Sequence, residues 1–346
     1  MSATELTAIG VDTAVVDMMN AVFADYRDTH PPAAGIIDRD PTLWRALDDL
    51  GLVRLTGAES GGGSGAGWSE AAELLSAAVR HGVRIPLAEH DLLACWLLDA
   101  TGVPCNAAVR TVSLLDGQGV ATAVPWADGA ERIVVVWHTA DKYRVADVEV
   151  SAVEITRGTN MIGEPRDTVI ADVSTLPGVP VTAALVAELR LKSALVRAIQ
   201  VCAALDRIVA LSIEHTTSRI QFGRPLAKFQ TIQNLISDIA AEAALARSAT
   251  EAALTAAINS DWSTDRLDFL VAVARSCAGH AASVVVRNAH QVHGAIGTTR
   301  EHRLHEFTRP ALAWRSEFGS VAHWDDQVTD AALQAGAAGL WGVVTG

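Results

Sequence analysis

Ser218 to Gln233 reads SRIQFGRPLAKFQTIQ, and the fold turns on how this stretch is read. Ahead of it, apolar residues recur at helical period from Ala183 to Arg219. Gly223 and Pro225 then close that helix, because glycine relieves a left-handed cap position and proline cannot continue the ladder. After it, a second helix starts from about Lys228, with Ile232, Ile236, Ile239 and Ala243 on one face. A third, Phe269 to Gln291, is apolar nearly all round, which predicts a central place in a bundle.

Towards the amino terminus the period changes to two, between about Arg110 and Ile170. Thr111, Ser113, Val120, Thr122 and Val124 alternate, Ile133 to Trp137 is a short continuous run, and Val148, Val150, Val153 and Ile155 suggest another strand. DGQG and DGA mark turns between these runs. Residues from about Val11 to Ala100 read as helices again: Val15, Met18, Met19 and Val22 share a face, as do Leu43, Leu47 and Leu50. Asp40 before Pro41 is a helix start. The predicted fold is α+β and mainly α: an N-terminal helical domain over 1–108, a shortened antiparallel β domain over 109–180, and a C-terminal four-helix-type bundle over 181–346. Gly61 to Gly67, GGGSGAG, breaks the first helical region without dividing domains. A phosphate-binding loop is a weak reading of it, since no strand leads in and no Lys follows.

Composition narrows the function. The 27 basic against 40 acidic residues give net charge -13, which argues against nucleic acid and anionic membranes as partners. Cys95, Cys105, Cys202 and Cys277 form neither a CxxC pair nor a cluster of metal-ligand spacing, which fits a reducing cytoplasm. His290 and His293 invite a metal, but no third ligand stands at useful sequence spacing, so none is expected. MSATELTAIG lacks the pattern of a signal peptide, and Phe269 to Cys277 is far shorter than the roughly 20 apolar residues of a membrane span.

With Ala289 to Glu301, AHQVHGAIGTTRE, the opening stretch resembles the two flavin-binding signatures in the carboxy-terminal domain of acyl-coenzyme A dehydrogenases. More weakly, LWRALDDLGLVRL followed by GGGSGAG resembles that family's opening helices. The resemblance implies FAD as cofactor, an acyl-CoA thioester of fatty, branched or steroid side-chain origin as substrate, and electron-transfer flavoprotein as electron acceptor. It also implies that Arg219 and Phe222 contact a flavin dinucleotide held mainly by a neighbouring subunit. Gln230 matches a position near the same cofactor, and Gln291 and Gly294 match positions at its adenosine half. The residue types suit this: a guanidinium offers a planar fork and permanent charge to pyrophosphate, and a glycine permits close backbone approach. Arg219 is equally what the macrodipole favours at any helix C-terminus, and Phe222, Phe229 and Ile232 also suit a core.

The family pattern fails at the chemistry. Nothing between Leu55 and Thr122 resembles the segment that cradles the flavin ring. The usual catalytic glutamate falls on Phe318, followed by Gly319 and Ser320, with Glu317 one residue away. A second base location seen in some members, at the start of the long helix, falls on Ser193, with Glu188 the nearest carboxylate before it. Glu317 therefore reads as a solvated surface acid, and no catalytic residue is assigned. The expectation is a partner subunit that lacks the base and pairs with a second acyl-CoA dehydrogenase chain. Its rivals are a self-paired enzyme using Glu317 and a cofactor-free binding or regulatory homologue.

Overall fold

A computed structural model describes residues 10–32, 35–139 and 142–345. The amino-terminal reading made on MSATELTAIG lies outside these, up to residue 9. The chain divides into two compact units, Met1–Lys192 and Ser193–Gly346.

In the first unit, α1 is Thr13–Thr29, α2 Pro41–Asp49, α3 Trp68–Arg80 and α4 Trp96–Thr101, and a π-helix, Ala88–Cys95, runs directly into α4. Asp40 caps α2 as the sequence predicts, its carboxylate accepting from the amides of Thr42 and Leu43 at 2.7 and 3.2 Å. Two apolar faces differ from the expectation. On α1 the buried line is Val16, Met19 and Phe23, and on α2 it is Leu43, Trp44 and Leu47, with Leu50 left exposed beyond the helix end.

Seven strands follow: β1 Arg110–Leu114, β2 Val120–Pro125, β3 Arg132–Thr139, β4 Lys142–Glu149, β5 Glu154–Thr156, β6 Arg166–Ile170 and β7 Val179–Val181. They form a sheet in the order β1-β3-β4-β7 and a second in the order β2-β6-β5. Pairing is antiparallel except between β1 and β3, which run parallel. The continuous apolar run of β3 is buried on both faces. Val134 and Val136 face Leu93, Leu97 and Leu189, whereas Ile133, Val135 and Trp137 pack with Val124 and Val169 of the other sheet. Each such side chain contributes roughly 1.5 to 3 kcal/mol on burial.

The second unit is helical. It takes up α5, Ala183–Ser218, from Ser193 onward, and adds a two-residue hairpin, β8 Ile220–Gln221 with β9 Arg224–Pro225. Then come α6 Gln230–Asn259, α7 Leu267–His293, α8 His305–Trp314 and α9 Val321–Thr345. The segment Leu267–Thr298 is long and apolar enough, by composition, to cross a membrane, yet 56% of that apolar window is buried within the protein, chiefly α7 packed against α6 and α9. That is the core helix the sequence predicts. Gly279 lets α9 approach α7 closely: a Cβ there would lie 2.6 Å from a methyl of Val321.

Candidate cofactor-contact site

The first signature folds as a projecting hairpin. The α5 ladder stops at Ser218, the Arg219 amide still donating to the His215 carbonyl at 2.9 Å, and the Leu226 amide returns to the Arg219 carbonyl at 3.0 Å. Phe222 and Gly223, at φ +51° and +77°, make the turn between the two short strands. Gly223 therefore serves the hairpin, not the helix cap expected of it. This geometry thrusts Phe222 outward at 88% exposure, with Ile220 at 65% beside it. Behind them the Arg224 guanidinium lies over the Phe229 ring at 4.1 Å, and Phe229 meets Phe222 edge-on with centroids 6.1 Å apart. Gln230 opens α6, exposed, its amide donating to Asn234 Oδ1 at 3.0 Å.

The second signature ends α7. Gly294, at φ 64° and ψ -145°, turns the chain into a 3-10 segment, Gly294–Thr298, and the space where its Cβ would stand is open. Gln291 and Gly294 are exposed, as are Arg219, Phe222 and Gln230. The two signatures meet through histidines: His215, one turn before Arg219, stacks on His293 with centroids 4.5 Å apart, and His302 packs edge-on against His293 at 4.6 Å. The third histidine that sequence spacing did not offer thus arrives through the fold, and the three rings bring a nitrogen each within 4.8 Å of one another. Nδ1 of His302 accepts from the Leu304 amide at 3.1 Å, which puts its proton on Nε2 and makes that nitrogen a donor rather than a metal ligand. His293 donates Nδ1–H to the Ala289 carbonyl at 2.7 Å. Burial holds His293 neutral, down to about 4, and pushes His215 and His302 below the usual imidazole range too.

Phe318, where the sequence reading sets the family's base, stands in a clamped turn. Phe318 and Gly319 both have positive φ, +54° and +118°. Arg275 ties this turn down: its Nη2 donates to the carbonyls of Arg315, Glu317 and Gly319 at 3.0, 2.7 and 3.3 Å. Burial, with the nearby charge of Arg197, lowers the Arg275 guanidinium to about 9. Arg197 lies over the Phe318 ring at 5.1 Å and donates Nε–H to Glu317 Oε2 at 2.7 Å. Glu317 is therefore not the solvated acid expected from sequence; it is a half-buried carboxylate, its side chain 15% exposed, bound to a buried cation. At the second base location Ser193 is buried, and Glu188 pairs with Lys192 Nζ at 3.2 Å. That ammonium lies over the rings of Trp68 and Trp96 at 4.9 and 4.5 Å. Sequence reasoning missed the two clamping arginines. Their signal was visible as single cations inside the Ala- and Val-rich faces of SALVRAIQ and VAVARSCA.

The glycine-rich stretch is not a phosphate loop. Its amides are spent on the protein: Gly61 and Gly63 donate to the Ala58 carbonyl, Gly62 to Glu59, Ser64 to Arg54, Gly65 to Gly57 and Ala66 to Leu55. Gly67 donates to Glu70 Oε2 at 3.0 Å.

Residues 186–324 match the family described as acyl-CoA dehydrogenase, C-terminal domain. The acyl-CoA dehydrogenase IpdE2 of Mycolicibacterium smegmatis is 28% identical over 276 residues, 79% of this chain and 82% of that one. Among solved structures, the ChsE4-ChsE5 complex from Mycobacterium tuberculosis aligns with TM-score 0.79 at 21% identity, covering 94% of this chain and 99% of the other. A Tcur3481-Tcur3483 steroid ACAD variant aligns equally well, at TM-score 0.79 and 19% identity over 93% and 97% of the two chains. At such identities these structures speak for the fold.

Proposed function

We propose that this chain, whose residues 186–324 match the acyl-CoA dehydrogenase C-terminal domain, is a member of the acyl-CoA dehydrogenase family and the partner subunit of an FAD-dependent enzyme, completing a site whose base and flavin-ring cradle belong to a second, related chain. One observation carries this reading: Arg219, Phe222, Gln230, Gln291 and Gly294 all face solvent, while the base position is Phe318 and its neighbour Glu317 is neutralised by Arg197.

The exposed set fits the adenosine and pyrophosphate half of FAD. Arg219 supplies a permanent cation for phosphate oxygens. Phe222 supplies an aromatic face uncovered by its own chain, and the two carboxamides supply donors and acceptors. The open space over Gly294 admits a ligand close to the backbone. When bound, the flavin supplies the acceptor for the hydride leaving the β carbon of an acyl thioester. This chain's contribution is to hold that cofactor and to exclude a competing carboxylate from the base position. Proton abstraction needs a basic group within hydrogen-bond reach of the α carbon's proton. Phe318 has none, so the carboxylate comes from the partner. Electron-transfer flavoprotein would be the acceptor for the electrons that a bound flavin takes up.

The test is co-expression with a longer acyl-CoA dehydrogenase chain. The mixed oligomer is expected to carry about one flavin per two chains, on the linkage that ligand binding stabilises the assembly that completes its site, and to oxidise an acyl-CoA. Steroid side-chain thioesters head the panel, followed by branched and straight-chain ones, because a structure of this fold is a steroid enzyme. A lone chain holding one flavin each and turning over unaided refutes the reading.

A further inference from the structure

Two of the four cysteines lie against each other in the first unit, whereas Arg219, Phe222, Gln230, Gln291 and Gly294 belong to the second. The sulfurs of Cys95 and Cys105 are 3.3 Å apart and both are free thiols. Cys95, the last residue of the π-helix, is buried, while Cys105, in the loop after α4, is partly exposed. That loop is fixed on both sides of Cys105. Before it, Gly102 at φ +67° caps α4 and the Val103 amide donates to the Leu98 carbonyl at 3.0 Å. After it, the buried Arg110 donates Nη1–H to the carbonyls of Asn106 and Ala108, each at 2.7 Å, and Nη2–H to Asn106 Oδ1 at 2.5 Å. His90 completes the surroundings: Nδ1 accepts from the Arg110 amide at 3.1 Å, so the proton sits on Nε2, 3.7 Å from the Cys95 sulfur.

We infer that Cys95 and Cys105 form a reversible thiol–disulfide switch, in which Cys105 reacts with a hydroperoxide and Cys95 resolves the product into an intrachain disulfide. The division of labour follows from access and charge. The hydrogen bond between the two sulfurs and the guanidinium charges of Arg110 and Arg54 lower the Cys105 thiol from its usual range and favour its nucleophilic thiolate. The same hydrogen bond, with burial, pushes Cys95 up, so it keeps its proton until it is needed. In the first step Cys105 Sγ attacks a peroxide oxygen, the O–O bond breaks, and Cys105 becomes a sulfenic acid as one water leaves. In the second, Cys95 Sγ attacks that sulfur, the S–O bond breaks, the thiol proton leaves with the hydroxyl as a second water, and the S–S bond forms. Two thiols and one hydrogen peroxide give one disulfide and two waters. A dithiol reductant returns both protons and electrons.

The sulfurs need to close from 3.3 Å to about 2.05 Å. The bond then staples the loop after α4 to the end of the π-helix. Both carboxylate oxygens of Asp99 in α4 accept from one nitrogen, Arg54 Nη2, at 2.7 and 2.9 Å, while Arg54 Nη1 donates to the Gly61 carbonyl. Oxidation thus locks an element that already anchors the glycine-rich loop.

The experiment treats the reduced full chain, freed of reductant, with hydrogen peroxide and follows intact mass and non-reducing peptide maps. The expected result is loss of two hydrogens, a single Cys95–Cys105 linked peptide, and reversal by dithiothreitol, with Cys202 and Cys277 still alkylatable. Cys95→Ser is expected to stop the reaction at a Cys105 sulfenic acid that dimedone captures, and Cys105→Ser to leave Cys95 unoxidised. Oxygen gained on the parent's Cys105 without a linked peptide, a disulfide joining two chains, or unchanged peroxide consumption by Cys105→Ser would each overturn the inference. The parent's linked peptide decides the question even if a serine variant folds poorly.

Discussion

His215 and His293 stack with ring centroids 4.5 Å apart and planes 20° from parallel, which fastens the end of α5 to the end of α7. Arg219 lies one turn beyond the first ring and Gly294 beside the second, so the contact sets both signatures at one place on the second unit. Two stacked imidazoles hold this arrangement only while neutral. His293 has a folded value of about 4, below the ordinary 6.5 of an unfolded chain. A depressed folded value means that its contribution to stability is complete above pH 6.5 and is lost as pH falls towards 4, at up to about 1.4 kcal/mol per pH unit. Denaturant midpoints measured from pH 7.5 to 4 are expected to fall less steeply for His293→Gln than for the parent. Equal slopes would show that His293 is not the group being protonated.

Arg219 carries a sharper expectation. If it meets phosphate, Arg219→Ala removes a charge-assisted hydrogen bond, costing about 1.5 to 3 kcal/mol of flavin affinity. The side chain is exposed at a helix end, so the apoprotein's melting temperature should not change. Flavin retained through gel filtration of the mixed oligomer is the readout, and full retention by the variant removes Arg219 from the site.

What the sequence made legible was local. The Asp40–Pro41 helix start, the buried run of β3 and the apolar girth of α7 depend on neighbours within a turn or two, and period alone exposes them. What it hid is carried by distant pairs. Nothing in GGGSGAG says that the amides of residues 61–66 are answered by carbonyls of residues 54–59, nor does β1 announce a parallel partner 22 residues on. The α1 face was misplaced because Val15, Val16, Met18, Met19, Val22 and Phe23 are all apolar, and only packing selects Val16, Met19 and Phe23 as its centre. The signatures at Arg219 and Gln291 were legible as motifs, but Arg197 and Glu317 stand 120 residues apart and their pairing is invisible in one dimension.

Arg54 is a long-range staple whose loss is measurable. The residue is 8% exposed, and its guanidinium joins Asp99 to the Gly61 carbonyl. Arg54→Ala is expected to cost about 1.5 to 3 kcal/mol, and to open residues 59–66 to proteolysis, because glycine-rich loops are cut once their hydrogen bonds are lost. Arg54→Lys should rescue little, since an ammonium cannot reproduce a fork that serves two acceptors at once. Equal protection of the loop in all three proteins would contradict the role.

Glu317 separates a partner subunit from a self-sufficient enzyme. Its carboxylate oxygen accepts from Arg197 at 2.7 Å, and Arg275 fixes its backbone carbonyl at the same distance, so neither the side chain nor the turn is free to swing into the place occupied by Phe318. A carboxylate already bound to a guanidinium is a poor proton acceptor, because protonation would forfeit the ion pair and leave a buried cation unmatched. Glu317→Gln keeps an acceptor of the same shape but removes the charge. It is expected to lower folding stability, by about 1 to 3 kcal/mol, through the buried Arg197, and to leave turnover by the mixed oligomer within a few-fold of the parent. A true base behaves in the opposite way: stability holds or rises when its buried charge is removed, and the rate falls by about 100- to 10,000-fold. Melting temperature and kcat measured on the same preparation therefore distinguish the two. A collapse in rate without loss of stability would make Glu317 the base and the chain an enzyme in its own right.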